Sequence, residues 1–97
     1  MNMQNLMAQA QRLQKELEKA NNEIQNSTFN GESGAVKVEI SGKYEINKIE
    51  IVDDSVLSDK ELLEDMIKVA LNNAISELNK TKNQKLGKYT NGLGGLL

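Results

Sequence analysis

Four lysines within nine residues, Lys80, Lys82, Lys85 and Lys88, form the most concentrated basic charge in this 97-residue sequence, and no acid interrupts them. A local positive field of this kind suits a polyanion such as a phosphate backbone. Helix C-termini also collect lysines through the macrodipole alone, so the cluster has an ordinary explanation as well. The group contains no Arg and no aromatic residue except Tyr89. It therefore points to phosphate contact rather than base readout or single-strand stacking. A second basic set, Arg12, Lys15 and Lys19, falls on the outer ridge of a heptad-patterned segment, opposite its apolar seam. These side chains suit phosphate contact too, with Gln11 and Asn22 as neutral hydrogen-bonding neighbours. A solvated helix face carrying Glu16 and Glu18 is the plainer reading of that ridge.

The other charged and glycine-rich groups offer less. Asp53, Asp54, Asp59, Glu61, Glu64 and Asp65 cluster, but their spacing matches no calcium loop, and turn and helix-cap duty accounts for them. Gly31-Glu32-Ser33-Gly34 lacks the phosphate-loop pattern and leads into a strand rather than a helix. The sequence has no His and no Cys. That excludes Ser-His-Asp and Cys-His nucleophilic machinery, disulfides and thiolate metal sites. Carboxylates and lysines alone leave little for an enzyme to work with. No catalysis, metal, cofactor or small-molecule substrate is expected.

The net charge of -2 is unevenly spread. Residues 1–31 balance, residues 32–65 carry ten acids against four bases, residues 66–79 balance again, and residues 80–97 carry four bases alone. A dipolar chain of this kind can hold a polyanion at one end while its acidic middle faces elsewhere. No apolar run is long enough for a membrane span, and no basic leader precedes an apolar stretch. Together with the absence of Cys, this points to a cytoplasmic setting.

The elements that must position these bases can be read from periodicity. Met3, Leu6, Ala10, Leu13, Leu17, Ala20 and Ile24 make an unbroken a/d seam, which predicts a helix from Asn2 to about Asn26. At roughly 37 Å it is too long for so small a domain to cover, so part of it should project or lie against a partner. Val36, Val38 and Ile40 alternate with polar residues and predict a half-buried strand, after a short strand begun at Thr28-Phe29 and a loop at 31–34. Ser41-Gly42-Lys43 predicts a tight turn into a second main strand, Tyr44 to Val52. Its apolar phase slips near Asn47-Lys48, the mark of a β-bulge. Ser58-Asp59-Lys60-Glu61 reads as a capping box opening a last helix. The wide stripe from Leu62 to Leu78 on that helix suits packing across a sheet. Gly87 is the expected helix stop, with a flexible Gly/Leu-rich tail over 87–97.

The fold class is thus α+β: long N-terminal helix, small antiparallel sheet, long C-terminal helix, in one domain over residues 1–86. Only three residues are aromatic, Phe29, Tyr44 and Tyr89, so the core of a lone chain is thin and burial against a partner is the natural remedy.

Three stretches in this order resemble the YbaB/EbfC family of nucleoid-associated proteins: Asn5 to Leu17, then Gly34 to Gly42 with Ile49-Glu50-Ile51 and Asp53, then Asp59 to Ile67 with Ala70 to Ala74. The resemblance covers essentially the whole chain, and the Gly/Leu-rich tail is similar too. It implies an intertwined homodimer with projecting helices, binding of double-stranded DNA through the first and last helices, and a place in the nucleoid. On this sequence those helices carry Arg12, Lys15 and Lys19, and Lys80, Lys82, Lys85 and Lys88. A second reading is a dimeric helical adaptor, with the exposed part of the heptad seam and the broad stripe of the last helix as docking surface for a protein partner.

Overall fold

The computed structural model describes the backbone of residues 2–94 and the side chains of residues 2–89. Helix α1 spans Met3–Gln25, strands β1 Thr28–Ser33, β2 Val36–Ser41 and β3 Ile46–Ile51 follow, a 3-10 turn spans Asp54–Ser58, and helix α2 runs Lys60–Gly94. The strands form one antiparallel sheet in the order β1-β2-β3. The architecture is the α+β arrangement expected.

Local chemistry sets the boundaries. Asn2 caps α1, its side chain accepting from the Gln4 amide at 3.0 Å. Asn26 closes the helix, and the Ser27 hydroxyl donates to the Glu23 carbonyl. The first strand is longer than the sequence pattern suggests, because Gly31, Glu32 and Ser33 pair with Val38, Lys37 and Val36 rather than looping out. The predicted phase slip is present: Glu39 pairs with Lys48 but Ile40 pairs with Ile46, leaving Asn47 as the extra residue of a bulge. The cap of α2 is Asp59 rather than Ser58, with its Oδ1 accepting from the Leu62 amide at 3.1 Å. Ser58 instead donates to the Ser55 carbonyl inside the 3-10 turn.

Helix α2 also continues past Gly87, to Gly94. A glycine ends a helix only when it turns left-handed, and Gly87 keeps the helical course. The remainder of the expected tail, residues 95–97, lies outside the described residues.

The core forms where α2 crosses the sheet. Ile24, Phe29, Val36, Val38, Ile40, Ala70, Ala74 and Leu78 make one buried cluster. Ile24, Val36, Val38, Ile40 and Leu78 are almost wholly enclosed, each contributing roughly 1.5–3 kcal/mol of transfer free energy. Two glycines permit this packing. A Cβ on Gly31 would collide with the Ala70 carbonyl oxygen and lie 2.5 Å from the Ala74 amide, so β1 can touch the α2 backbone only without a side chain. A Cβ on Gly42 would collide with the Ile24 carbonyl, where the end of α1 meets the β2–β3 hairpin.

Burial along α1 grades from root to tip. Ile24 is buried, Ala20, Leu17 and Leu13 are half-buried, and Met7, Leu6 and Met3 are exposed. The N-terminal half of the seam therefore projects uncovered. The molecule measures 69 × 22 × 13 Å, with a radius of gyration of 19.4 Å. A compact chain of this length would have about 13 Å.

Candidate nucleic-acid interface

The two helices that carry the basic residues run side by side. Beyond Leu78, α2 leaves the sheet and follows α1 back toward its N-terminus, so the pair is antiparallel. One groove between them is lined by Glu16, Lys19, Ala20 and Glu23 from α1 and by Gln84, Lys85, Lys88 and Tyr89 from α2. An adjoining groove is lined by Lys15, Glu18, Lys19, Asn22, Glu23, Asn26, Ser27 and Lys85. Tyr89, buried among them, is part of the wall that keeps the helices together.

This geometry divides the seven bases. Lys15, Lys19, Lys85 and Lys88 converge on the inter-helix grooves. Lys82 stands apart at the root of the helix pair. Its ammonium lies 4.7 Å from the centre of the Tyr44 ring and 3.4 Å from the Tyr44 hydroxyl, which donates to Asn79 Oδ1 at 2.6 Å. Arg12 and Lys80 are exposed and line neither groove. Lys80 follows Leu78 by two residues, and on a helix that sets it on the far side of α2 from the buried stripe. Lys88 lies over the ring of its neighbour Tyr89 at 5.0 Å.

Acids share the grooves. Glu16, Glu18 and Glu23 line the same walls as Lys15, Lys19 and Lys85, so the positive potential there is diluted. Even so, among the described residues none of the seven bases forms a salt bridge; the ion pairs are Lys37–Glu32, Lys48–Glu50 and Lys60–Glu64, all on exposed surface elsewhere. The cations keep their charge available to an outside anion.

Two features of this region have no signal in the sequence pattern. Glu16 and Glu18 read as part of a solvated helix face, yet together with Glu23 they line the grooves beside α2. The Tyr44–Asn79–Lys82 cluster joins a hairpin to a helix across 35 and 38 residues, and no local periodicity reports such a contact.

The fold is a small helix-and-sheet architecture whose two helices carry the basic residues. The profile of the YbaB/EbfC DNA-binding family matches residues 1–93. A nucleoid-associated protein of Lactococcus lactis subsp. lactis is 45% identical over 96 residues, covering 96% of this chain and 97% of that one. A nucleoid-associated protein of Ruminiclostridium cellulolyticum is 41% identical over 98 residues, covering 98% and 85%. The crystal structure of an uncharacterized Helicobacter pylori protein superposes with a TM-score of 0.71 at 24% identity, over 87% of this chain and 91% of that one, which shows the shared fold. The chain belongs to the YbaB/EbfC DNA-binding family.

Proposed function

We propose that the protein is a nucleoid-associated homodimer that binds double-stranded DNA mainly through phosphate contacts. The observation that carries the reading is the convergence of Lys15, Lys19, Lys85 and Lys88 on the α1–α2 grooves without a salt-bridged carboxylate among the described residues. Arg12, Lys80 and Lys82 extend the basic surface beyond the grooves. A second copy is supported by apolar surface that one chain leaves open. Ile46 and Ile49 share the sheet face of Ile40 and Val38, through their pairing. They remain 51% and 47% exposed because α2 packs over β1 and β2. The uncovered tip of α1, with Met3, Leu6 and Met7, adds more. The nucleoid is the location that follows from this reading; among the described residues no helix is long and apolar enough to cross a membrane.

The test is binding to a labelled random-sequence duplex, followed by fluorescence anisotropy across a salt series. About six neutralised phosphates give a slope of log K against log salt near -5. Replacing Lys80, Lys82 and Lys85 together by Gln weakens binding to all sequences alike. Unchanged affinity in that variant removes those residues from the interface. An absence of binding even at low salt replaces the DNA reading with a protein-docking one, for which the exposed apolar residues are the surface.

A further inference from the structure

Tyr44 occupies a backbone position where its residue type is out of place. Ser41 N–H donates to the Glu45 carbonyl at 2.8 Å and Tyr44 N–H donates to the Ser41 carbonyl at 3.0 Å. These bonds close a hairpin loop of Gly42, Lys43 and Tyr44. The third residue of such a loop is left-handed and is ordinarily Gly or Asn. Here it is Tyr44 with φ 64°, the one positive-φ non-glycine residue among those described. A bulky side chain is disfavoured in that conformation, so something holds it there.

What holds it is α2. The Tyr44 hydroxyl donates to Asn79 Oδ1 at 2.6 Å, and the ring lies under the Lys82 ammonium at 4.7 Å. Asn79 and Lys82 are three residues apart and share a helix face, so one ring spans both. Lys82 is half-buried, and both its contacts are uncharged. Among the described residues no carboxylate pairs with it. A lysine held in place usually has an anion to hold it. This one is fixed by neutral groups, with its charge left unneutralised and two N–H donors beyond the Tyr44 hydroxyl. Tyr44 itself is 48% exposed and Lys43 is exposed, so the site opens to solvent.

We infer that Tyr44 is a positioning residue for Lys82: the loop's strained tyrosine, tied to Asn79, pre-orders the Lys82 ammonium as a phosphodiester contact at the root of the helix pair. The inference rests on the DNA-binding reading and gives one of its lysines a role the others lack. A free lysine surrenders side-chain mobility when it meets a phosphate. Lys82 has already surrendered much of it in the folded protein, so its contact is stronger than that of the exposed Lys80 two residues earlier.

The informative variant is Tyr44→Gly, because glycine accepts the left-handed backbone and the hairpin still forms. Its thermal midpoint stays within about 5 °C of the parent, because the missing Asn79 hydrogen bond and the relieved backbone strain offset each other. Its affinity for a labelled duplex falls about fivefold, the upper end for an exposed cation–π contact. Its salt slope stays near the parent's, because the Lys82 charge is still present. Lys82→Gln loses at least as much and lowers the salt slope by about one for each protomer's phosphate contact removed, and adding Tyr44→Gly to it costs nothing further, since the tyrosine acts only through Lys82. Tyr44→Phe keeps the ring under the ammonium and binds within about twofold of the parent. The Lys82 ε-methylene proton shift is followed in parallel, since the ring beneath it displaces that resonance in the parent and in Tyr44→Phe but not in Tyr44→Gly. Parent-like duplex affinity in Tyr44→Gly, or losses that add in the double variant, overturns the positioning role while leaving DNA binding intact. A parent that binds no duplex at any salt overturns both readings, and the ring-shifted methylene then reports a structural cluster only.

Discussion

Single residues in this fold are constrained by backbone approach more than by side-chain chemistry. Gly31 is one such case, since a Cβ there would meet the Ala70 carbonyl and the Ala74 amide of α2. A methyl group there meets rigid helix backbone rather than a yielding side-chain tip. Gly31→Ala is expected to cost about 3 kcal/mol, the upper range for overpacking, and to lower the thermal midpoint by more than about 10 °C in a scan by circular dichroism. Asp53 supplies a pH-dependent counterpart. Its carboxylate accepts from the Ser55 amide at 2.9 Å, and that backbone hydrogen bond, with one from the Ser55 side chain, lowers its pKa from the ordinary 3.8. A carboxyl group whose folded pKa is depressed stabilises the fold above its unfolded pKa and loses that contribution as pH falls through the folded value. The stability difference between the parent and Asp53→Asn should therefore be present at pH 7 and shrink below pH 3.8. Denaturant melts at both pH values check it, and a difference independent of pH would show that the charge of Asp53 is irrelevant to the turn.

At the scale of elements, helix α2 carries both the core and the candidate interface, and Gly87 sits inside the part that carries the interface. Nothing lies within 4 Å of a Cβ built there. Gly87→Ala should therefore stabilise the helix by about 0.5–1 kcal/mol through backbone entropy alone, seen as a raised midpoint with unchanged DNA binding. A destabilised Gly87→Ala would mean that this glycine does mark the end of the helix in solution. The same element explains what the sequence could reveal. The a/d seam of α1, the alternation of Val36, Val38 and Ile40, and the bulge near Asn47 are all local patterns, and each appears where the periodicity puts it. The missed features depend on contacts between distant segments. Gly31–Ser33 reads as a loop because glycine and serine disfavour strands, yet β2 supplies the pairing and α2 requires the glycine. Gly87 reads as a stop, yet the helix runs on to Gly94. The basic residues were legible as two clusters. That Lys15, Lys19, Lys85 and Lys88 meet while Arg12 and Lys80 do not depends on the antiparallel approach of two helices, which no spacing within either one encodes.

At the scale of the molecule, an elongated chain with a half-bare β3 leaves apolar surface that a second copy would cover in the proposed dimer. Ile46 and Ile49 face the same way as the core but have no helix over them. Burying the pair in a second copy would add the area that one thin core lacks. A charge placed there tests this without disturbing a lone protomer, because both side chains are already about half exposed. Ile46→Lys with Ile49→Lys should leave secondary structure intact and convert the proposed dimer to a monomer by light scattering. DNA binding should weaken with it, because two linked basic surfaces bind together far more tightly than either alone. The salt slope distinguishes this loss from damage to the basic residues themselves. Halving the number of phosphates held should reduce the slope from about -5 to about -3, with the remaining affinity still sensitive to Lys85→Gln. A variant that stays dimeric would move the interface from β3 to the projecting half of α1, where Leu6 and Met7 are the next exposed apolar residues. In that case Leu6→Lys, rather than the β3 pair, would produce the monomer.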